Sequence, residues 1–116
     1  MQYLFILNDS PYATQRTYNG LRLALNLSRS GGDKLSVFLL GDGVTSAFEG
    51  FTPAHVFYNT QDMLRQLGER GVRIGACKTC MEARGIADQH LLPAVKRSTL
   101  DELTQWTEEA EKVLVF

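Results

Sequence analysis

Short apolar runs without regular polar alternation recur along this chain, and most are ended by glycine, proline or polar residues. The clearest are residues 3–7, 35–40, 72–76 and 112–116. Runs of this length are typical of strands buried on both faces, as in a parallel sheet covered by helices. A weaker candidate, 94–97, carries two basic residues and is predicted at a sheet edge. The terminal run is the most apolar, so we expect it in the sheet interior.

The segments between these runs are predicted to be helices: 14–30, 44–48, 59–68, 83–87 and a last one that begins near 99. The first is rich in Leu, Ala and Arg and ends at two glycines, which favours a helix over one long strand. Asn59 is predicted to cap the third. Ser98 or Thr99 is predicted to cap the last, with Asp101 and Glu102 placed for a capping box.

The first predicted helix carries leucine on two faces. Leu21 and Leu25 share one face, while Leu23 and Leu27 lie nearly opposite. One face would pack on the sheet, and the other needs a second neighbour because exposed apolar surface is disfavoured. That neighbour is either a partner subunit or another part of this chain.

Strands that alternate with helices through about five repeats predict a three-layer α/β/α domain with a mostly parallel sheet and right-handed crossovers. The chain has 116 residues, the size of one domain, and no linker or internal repeat divides it. We therefore expect residues 1–116 to form a single domain.

Composition excludes several classes of protein. The net charge is −1, so there is no overall basic field to hold nucleic acid. No apolar run approaches the roughly 20 residues that span a bilayer. The N-terminus lacks a basic leader and a small-residue cleavage site, so it is interpreted as a mature first strand and the protein as cytoplasmic.

Both cysteines of the chain lie in Cys77-Lys78-Thr79-Cys80, directly after a predicted strand. A thiol reacts as its thiolate, and a helix N-terminus or a nearby cation lowers its pKa. Lys78 is adjacent, and Arg84 follows on a short helical turn. In a cytosolic chain, two cysteines favour a catalytic, redox or metal role over a disulfide scaffold. We predict that Cys77 is a nucleophile and that Cys80 is a resolving thiol or a bystander.

Other polar residues are predicted to share an edge of the sheet with this motif. Ligands of open parallel sheets bind outside the carboxyl ends of the strands. Asp9 follows the first predicted strand, Asp42 the second and Cys77 the third. Each aspartate also suits the capping of the next helix. Tyr12, in the loop after the first strand, either lines the site or packs that loop.

Several segments resemble the DsrE/DsrF-like family, most closely its small YchN-like members. The similar segments are 8–12, 42–45, 58–59, 77–80 with 84–86, and 103–106 with 112–114. The most specific feature is a cysteine seven residues before Arg84-Gly85-Ile86, which maps the family's sulfur-accepting cysteine onto Cys77. The resemblance implies a Rossmann-like subunit, homotrimers or homohexamers, and a persulfide passed between donor and acceptor proteins. This chain departs from many relay members in its second cysteine.

Other interpretations of the cysteine pair stay open. The pair suits a dithiol redox protein, or a non-catalytic oligomeric module that binds a small ligand or protein and has structural cysteines. Structural zinc would need two more ligands, for which His55 and His90 are the available histidines. Residues 41–43 lack the third glycine and the lysine of a nucleotide fingerprint. We expect no metal and no cofactor.

Overall fold

The computed structural model describes residues 1–53 and 58–116. Its strands are β1 (Gln2–Leu7), β2 (Lys34–Leu39), β3 (Arg73–Cys77), β4 (Lys96–Ser98) and β5 (Lys112–Val115). They form one sheet in the order β4-β3-β2-β1-β5, in which every neighbouring pair is parallel. The predicted parallel sheet of about five strands is confirmed.

The helices that connect these strands are α1 (Arg16–Ser28), α2 (Thr60–Glu69), α3 (Lys78–Ala83) and α4 (Leu100–Glu109). Two 3₁₀ segments, Gly41–Ala47 and Asp88–His90, supplement them. The segment predicted as a helix over 14–30, despite its alternating leucines, is helical as α1. Within the described ranges, no helix has the length and apolarity that crossing a membrane requires.

The helices cover both faces of the sheet. Leu7 of β1 lies beside Gly20 of α1, so this face of the sheet carries α1, against which α2 packs. Phe38 of β2 points the other way and meets Trp106 of α4, with ring centroids 5.8 Å apart. Because neighbouring residues of a strand face opposite sides, these contacts define the predicted three layers.

Side-chain caps begin two of the helices as the sequence predicts. The Asn59 side chain accepts a hydrogen bond of 3.1 Å from the N–H of Asp62 at the start of α2. Thr99 caps α4 and accepts from the N–H of Glu102 at 3.2 Å. The predicted capping box is incomplete, because the Glu102 carboxylate instead accepts from the hydroxyl of Ser98.

The terminal strand is in a different position from the one predicted. Among residues 1–53 and 58–116, β5 lies at an edge of the sheet and pairs only with β1. Val113 and Val115 on it are 39% and 63% exposed. An apolar run indicates that burying the strand is favourable, but it does not specify which neighbouring element covers it. The edge position predicted for β4 is confirmed.

Three local assignments also differ from the predictions. The helix expected over 44–48 is a 3₁₀ helix that starts earlier, Gly41–Ala47. The helix expected over 83–87 starts earlier, at Lys78, and ends before Gly85, which adopts a left-handed φ of 66°. The strand expected over 94–97 runs from Lys96 to Ser98. The loop expected over 50–58 lies partly outside the described residues, as does His55.

The second apolar face of α1 is shared between two environments. Leu27 is partly buried and packs against the core of the same chain. Leu23 remains 40% exposed. Burial within the chain therefore explains part of this face and leaves Leu23 uncovered.

Backbone hydrogen bonds join the loops that follow β1 and β2. The N–H of Leu40 donates to the carbonyl of Leu7 at 2.9 Å, and the N–H of Gly43 donates to that of Asn8 at 3.0 Å. A Cβ on Gly43 would lie 2.0 Å from the Leu7 carbonyl oxygen. Only glycine allows this close approach of two backbones.

We expect Gly43→Ala to destabilise the fold by about 2 kcal/mol or more, because the added methyl group has to displace backbone. Gly32→Ala is the matched control, since a Cβ there would meet no atom within 4 Å, and its effect should stay below about 0.5 kcal/mol. Urea unfolding of both variants measures the difference. Equal stability of the two would show that the β1–β2 loop contact is not constrained in this way.

Candidate active site at the carboxyl edge of the sheet

The two cysteines lie where β3 passes directly into α3. Cys77 is the last residue of β3 and the N-cap of α3, with φ −58° and ψ 118°. Cys80 is in the first turn of α3, so its side chain returns toward that of Cys77. The neighbouring strand ends β1 and β2 reach the same edge of the sheet. The predicted convergence of the three strand ends is confirmed.

The sulfur of Cys77 accepts several hydrogen bonds. The Cys80 thiol donates to it at 2.7 Å and the Cys80 N–H at 3.4 Å. The Thr79 hydroxyl lies 3.3 Å from the same sulfur. All these donors come from the residues that directly follow Cys77, because the turn into α3 folds them back over it.

The sulfur of Cys80 is tied to the loop after β2. The N–H of Gly41 donates to it at 3.2 Å. Gly41 has a left-handed φ of 57°, which glycine adopts without strain. A backbone N–H at the end of β2 therefore contacts a thiol at the end of β3. The two cysteines and Gly41 thus form one hydrogen-bonded group.

The two thiols differ in acidity. Burial raises the pKa of Cys77, but the hydrogen bonds from Cys80 and Thr79 outweigh it, so the pKa lies below its ordinary value. The pKa of Cys80 is raised, first by burial and then by its donation to Cys77, which the Gly41 N–H offsets only in part. Cys77 is therefore the thiol that ionises first, and hydrogen bonds rather than a cation lower its pKa.

Access to the two thiols is unequal. Cys77 is 7% exposed and belongs to the hydrophobic core. Cys80 is half-buried, and Lys78 and Thr79 between them are exposed. Both cysteines are free thiols. Cys77 is therefore the less accessible of the two cysteines from solution.

Arg84 and Asp42 form an ion pair beside the thiols. Two guanidinium nitrogens of Arg84 donate to one carboxylate oxygen of Asp42 at 3.1 and 2.7 Å. A third nitrogen donates to the backbone carbonyl of Cys80 at 3.0 Å. Arg84 thus joins the helix that carries Cys80 to the loop that carries Gly41. In the described part of the chain, its guanidinium has no hydrogen bond to either sulfur.

Lys78 is exposed beside Cys77, and its ammonium group makes no hydrogen bond or ion pair with residues 1–53 or 58–116. The roles predicted for Lys78, Asp42 and Arg84 in binding stay predictions. The structure shows that Lys78 adjoins Cys77 in the chain, that Arg84 bonds to the Cys80 carbonyl, and that Asp42 bonds to Arg84.

Asp9 and Tyr12 are engaged within the loop after β1. The Asp9 carboxylate accepts from the Thr14 hydroxyl at 2.6 Å and lies 3.3 Å from Nε of Arg16. The ring of Tyr12 packs at 5.3 Å from that of Tyr58. Among the described contacts, neither residue touches a cysteine. Their predicted binding roles are untested, and their observed contacts hold the loop in place.

Sequence reasoning did not single out Thr79 or the N–H of Gly41 as contacts of the thiols. A hydroxyl two residues after Cys77 was a local signal for the first. No local signal exists for the second, because it depends on β2 lying next to β3. His90, considered for zinc, accepts at Nδ1 from the N–H of Ala87. The described residues contain no group of three or more His, Cys, Asp or Glu suited to a metal.

Comparison with known proteins identifies the group to which this arrangement belongs. The model of the DsrE/DsrF-like family matches residues 1–116. Protein YchN of Escherichia coli (strain K12) is 40% identical over 114 residues, which cover 97% of each chain. A crystal structure of the ychN protein from E. coli matches with a TM-score of 0.91 over 100% of both chains.

A more distant relative carries a description of activity. The sulfurtransferase TusD homolog of Vibrio vulnificus (strain YJ016) is 29% identical over 90 residues, which are 77% of this chain and 69% of that protein. The YchN similarity, by contrast, extends through the whole chain in sequence and in fold. The full-length match to the family model and the 40% identity to YchN show that this chain belongs to the DsrE/DsrF-like family.

Proposed function

We propose that this protein is a cytoplasmic sulfur-relay protein, a sulfurtransferase or persulfide carrier, that accepts a sulfane sulfur on Cys77 and passes it on. The observation that carries the proposal is the set of hydrogen bonds on the Cys77 sulfur from the Cys80 thiol, the Cys80 N–H and the Thr79 hydroxyl. Donors aimed at one sulfur favour its thiolate, which is the nucleophilic form. The sulfurtransferase described among the relatives supports the same chemistry.

The acceptance step is a thiolate attack on a donor persulfide. The Cys77 thiolate attacks the terminal sulfur of the donor, and a new sulfur–sulfur bond forms on Cys77. The sulfur–sulfur bond of the donor breaks, and its electron pair leaves on the donor thiolate. The products are a persulfide on Cys77 and a thiol on the donor, so no outside oxidant or reductant is needed. The reverse type of attack, by an acceptor thiolate, would pass the sulfur on.

The donor and acceptor are proposed to be proteins. Lys78 is exposed beside the thiol, and Arg84 is held against Asp42 at the same edge. These charged groups would orient the anionic sulfur of the incoming persulfide or the surface of its carrier. Asp9 and Tyr12 would contribute through the neighbouring loop, whose shape they maintain.

The protein is also proposed to assemble as a homotrimer or homohexamer. Val113 and Val115 leave an apolar strand uncovered at the β5 edge, and Leu23 adds exposed apolar surface on α1. Val115 pairs with Ile6, which pairs with Phe38 on the α4 face, so the exposed valines and Leu23 lie on opposite faces of the sheet. An apolar edge strand without cover favours pairing with another chain, and a second copy would provide that cover.

Sedimentation tests the assembly. We expect the wild-type protein to sediment at about three or six times the 13.0 kDa mass of one chain. Val115→Lys should shift the population toward smaller species, because it places a charge in the proposed contact. Leu100→Lys is a matched control, since Leu100 is 70% exposed on α4, away from β5. A monomeric wild type, or equal effects of the two variants, would contradict the assembly through β5.

Mass spectrometry after incubation with glutathione persulfide tests the acceptance step. We expect the Cys80→Ser variant to gain one sulfur atom on the peptide that contains Cys77, because that thiol keeps its backbone and Thr79 donors. Cys77→Ser, the same substitution at the other cysteine, should gain none. If Cys80→Ser stays unmodified while a known persulfide carrier is loaded, Cys77 is not an acceptor and the proposal is wrong.

The dependence of alkylation on pH tests the hydrogen bonds that favour the thiolate. Because the thiolate is the reactive form, a lowered pKa moves the rise in the rate of iodoacetamide reaction at Cys77 to lower pH. Thr79→Val should move that rise to higher pH, because a donor to the anion is lost. Thr104→Val, which removes an exposed threonine hydroxyl on α4, should leave it in place.

The same alkylation experiment distinguishes the relay from a non-catalytic module with structural cysteines. Such a module predicts two slow thiols with ordinary, similar pH profiles and no response to Thr79→Val. A selective reaction at Cys77 with an early rise supports the relay.

A further inference from the structure

We infer that Cys80 resolves the persulfide on Cys77, so that without an acceptor protein this chain releases the accepted sulfur as sulfide and closes a Cys77–Cys80 disulfide. This inference rests on the proposed acceptance of sulfur by Cys77, and it specifies what happens to that sulfur afterwards.

The first support is the position of the Cys80 thiol. Its sulfur lies 2.7 Å from the sulfur of Cys77, which is the inner sulfur of the proposed persulfide. A nucleophile held in contact with its target reacts as part of the same molecule. Effective molarities of well-oriented groups reach about 10⁵ M or more, far above the concentration of any thiol in solution.

The second support is the unequal access to the two sides of Cys77. An external acceptor has to reach the terminal sulfur that Cys77 carries, and the Cys77 residue that holds it is only 7% exposed. The Cys80 thiol already contacts the Cys77 sulfur, so its attack does not require the structure to open. Internal attack is therefore favoured over external attack unless a docked protein changes the geometry.

The third support is the environment of Cys80 itself. The N–H of Gly41 donates to its sulfur at 3.2 Å and stabilises the thiolate that has to attack. Arg84 bonds to the Cys80 carbonyl and to Asp42, the residue after Gly41, and so holds these two segments together. A cysteine without a role in the reaction would need neither the hydrogen bond from the Gly41 N–H nor the Arg84 bonds that join its helix to the loop of Gly41.

The discharge step is balanced in atoms and electrons. Cys80 loses its proton, and its thiolate attacks the Cys77 sulfur. The bond between that sulfur and the terminal sulfur breaks, and the terminal sulfur leaves with the electron pair as hydrosulfide, which takes up a proton. The sulfane sulfur is reduced to sulfide, and the two thiols are oxidised to one disulfide.

The step places the protein between two classes of reaction. A reaction that forms a protein or low-molecular-weight persulfide has to supply the sulfur. A dithiol reductant has to reopen the disulfide before the next turnover, because the chain is left oxidised. Sulfide would be the product that this series of reactions releases.

The test loads the full-length protein with one equivalent of glutathione persulfide, then removes the excess donor and omits reductant. Released sulfide and the mass of the cysteine peptide are followed in time. We expect wild type to release about one sulfide per chain, and its peptide to lose two hydrogen atoms as the disulfide forms. Dithiothreitol should restore the dithiol and permit a second round.

The variants separate this inference from the acceptance step. Cys80→Ser and Cys80→Ala should keep the added sulfur on Cys77, and their release of sulfide should be at least about tenfold slower than in wild type. Cys77→Ser should release none. Thermal unfolding followed by circular dichroism checks that each variant is folded, and the two replacements at position 80 guard against a side-chain-specific defect.

Three outcomes would contradict either the resolution by Cys80 or the acceptance by Cys77. If wild type and both Cys80 variants hold the added sulfur equally long, Cys80 does not resolve the persulfide, while the proposed acceptance by Cys77 stands. If the Cys80 variants never gain sulfur, the acceptance step itself fails. Rapid sulfide release from Cys77→Ser would also contradict the inference, because the sulfur would then leave without Cys77.

Discussion

The parallel pairing of β1, β2 and β3 is the constraint on which the candidate site depends. Three neighbouring strands that run in the same direction bring their carboxyl ends to one edge. At that edge, Gly43 donates to Asn8 and Gly41 donates to the Cys80 sulfur. Had β2 run in the opposite direction, its last residues would lie at the far edge, and Cys80 would lose its backbone donor.

Burial and hydrogen bonding act in opposite directions on Cys77. A cysteine that is 7% exposed would ordinarily be a neutral, unreactive part of the core. Here the turn into α3 directs polar hydrogens of Thr79 and Cys80 at its sulfur, and their combined effect on the pKa exceeds that of burial. Cys77 therefore belongs to the hydrophobic core, while its sulfur accepts the hydrogen bonds of the candidate site.

The edge position of β5 shows a limit of hydrophobic patterns. Its apolar side chains predicted an interior strand, yet Val113 and Val115 are exposed in the single chain. Such a pattern measures how much a segment gains by leaving water, and a neighbouring subunit satisfies it as well as a neighbouring strand does. The error in the predicted position and the proposed assembly therefore have the same physical origin.

The sequence by itself determined the types of element and the position of the thiols at a strand end. Apolar runs, glycine stops and the caps Asn59 and Thr99 are local signals, and each acts within a few residues. The tertiary structure decided the strand order and the partners of the site. Gly41 and Cys80 are 39 residues apart, and Arg84 and Asp42 are 42 apart. Such contacts follow from which strands lie side by side, and no local preference of the chain encodes that choice.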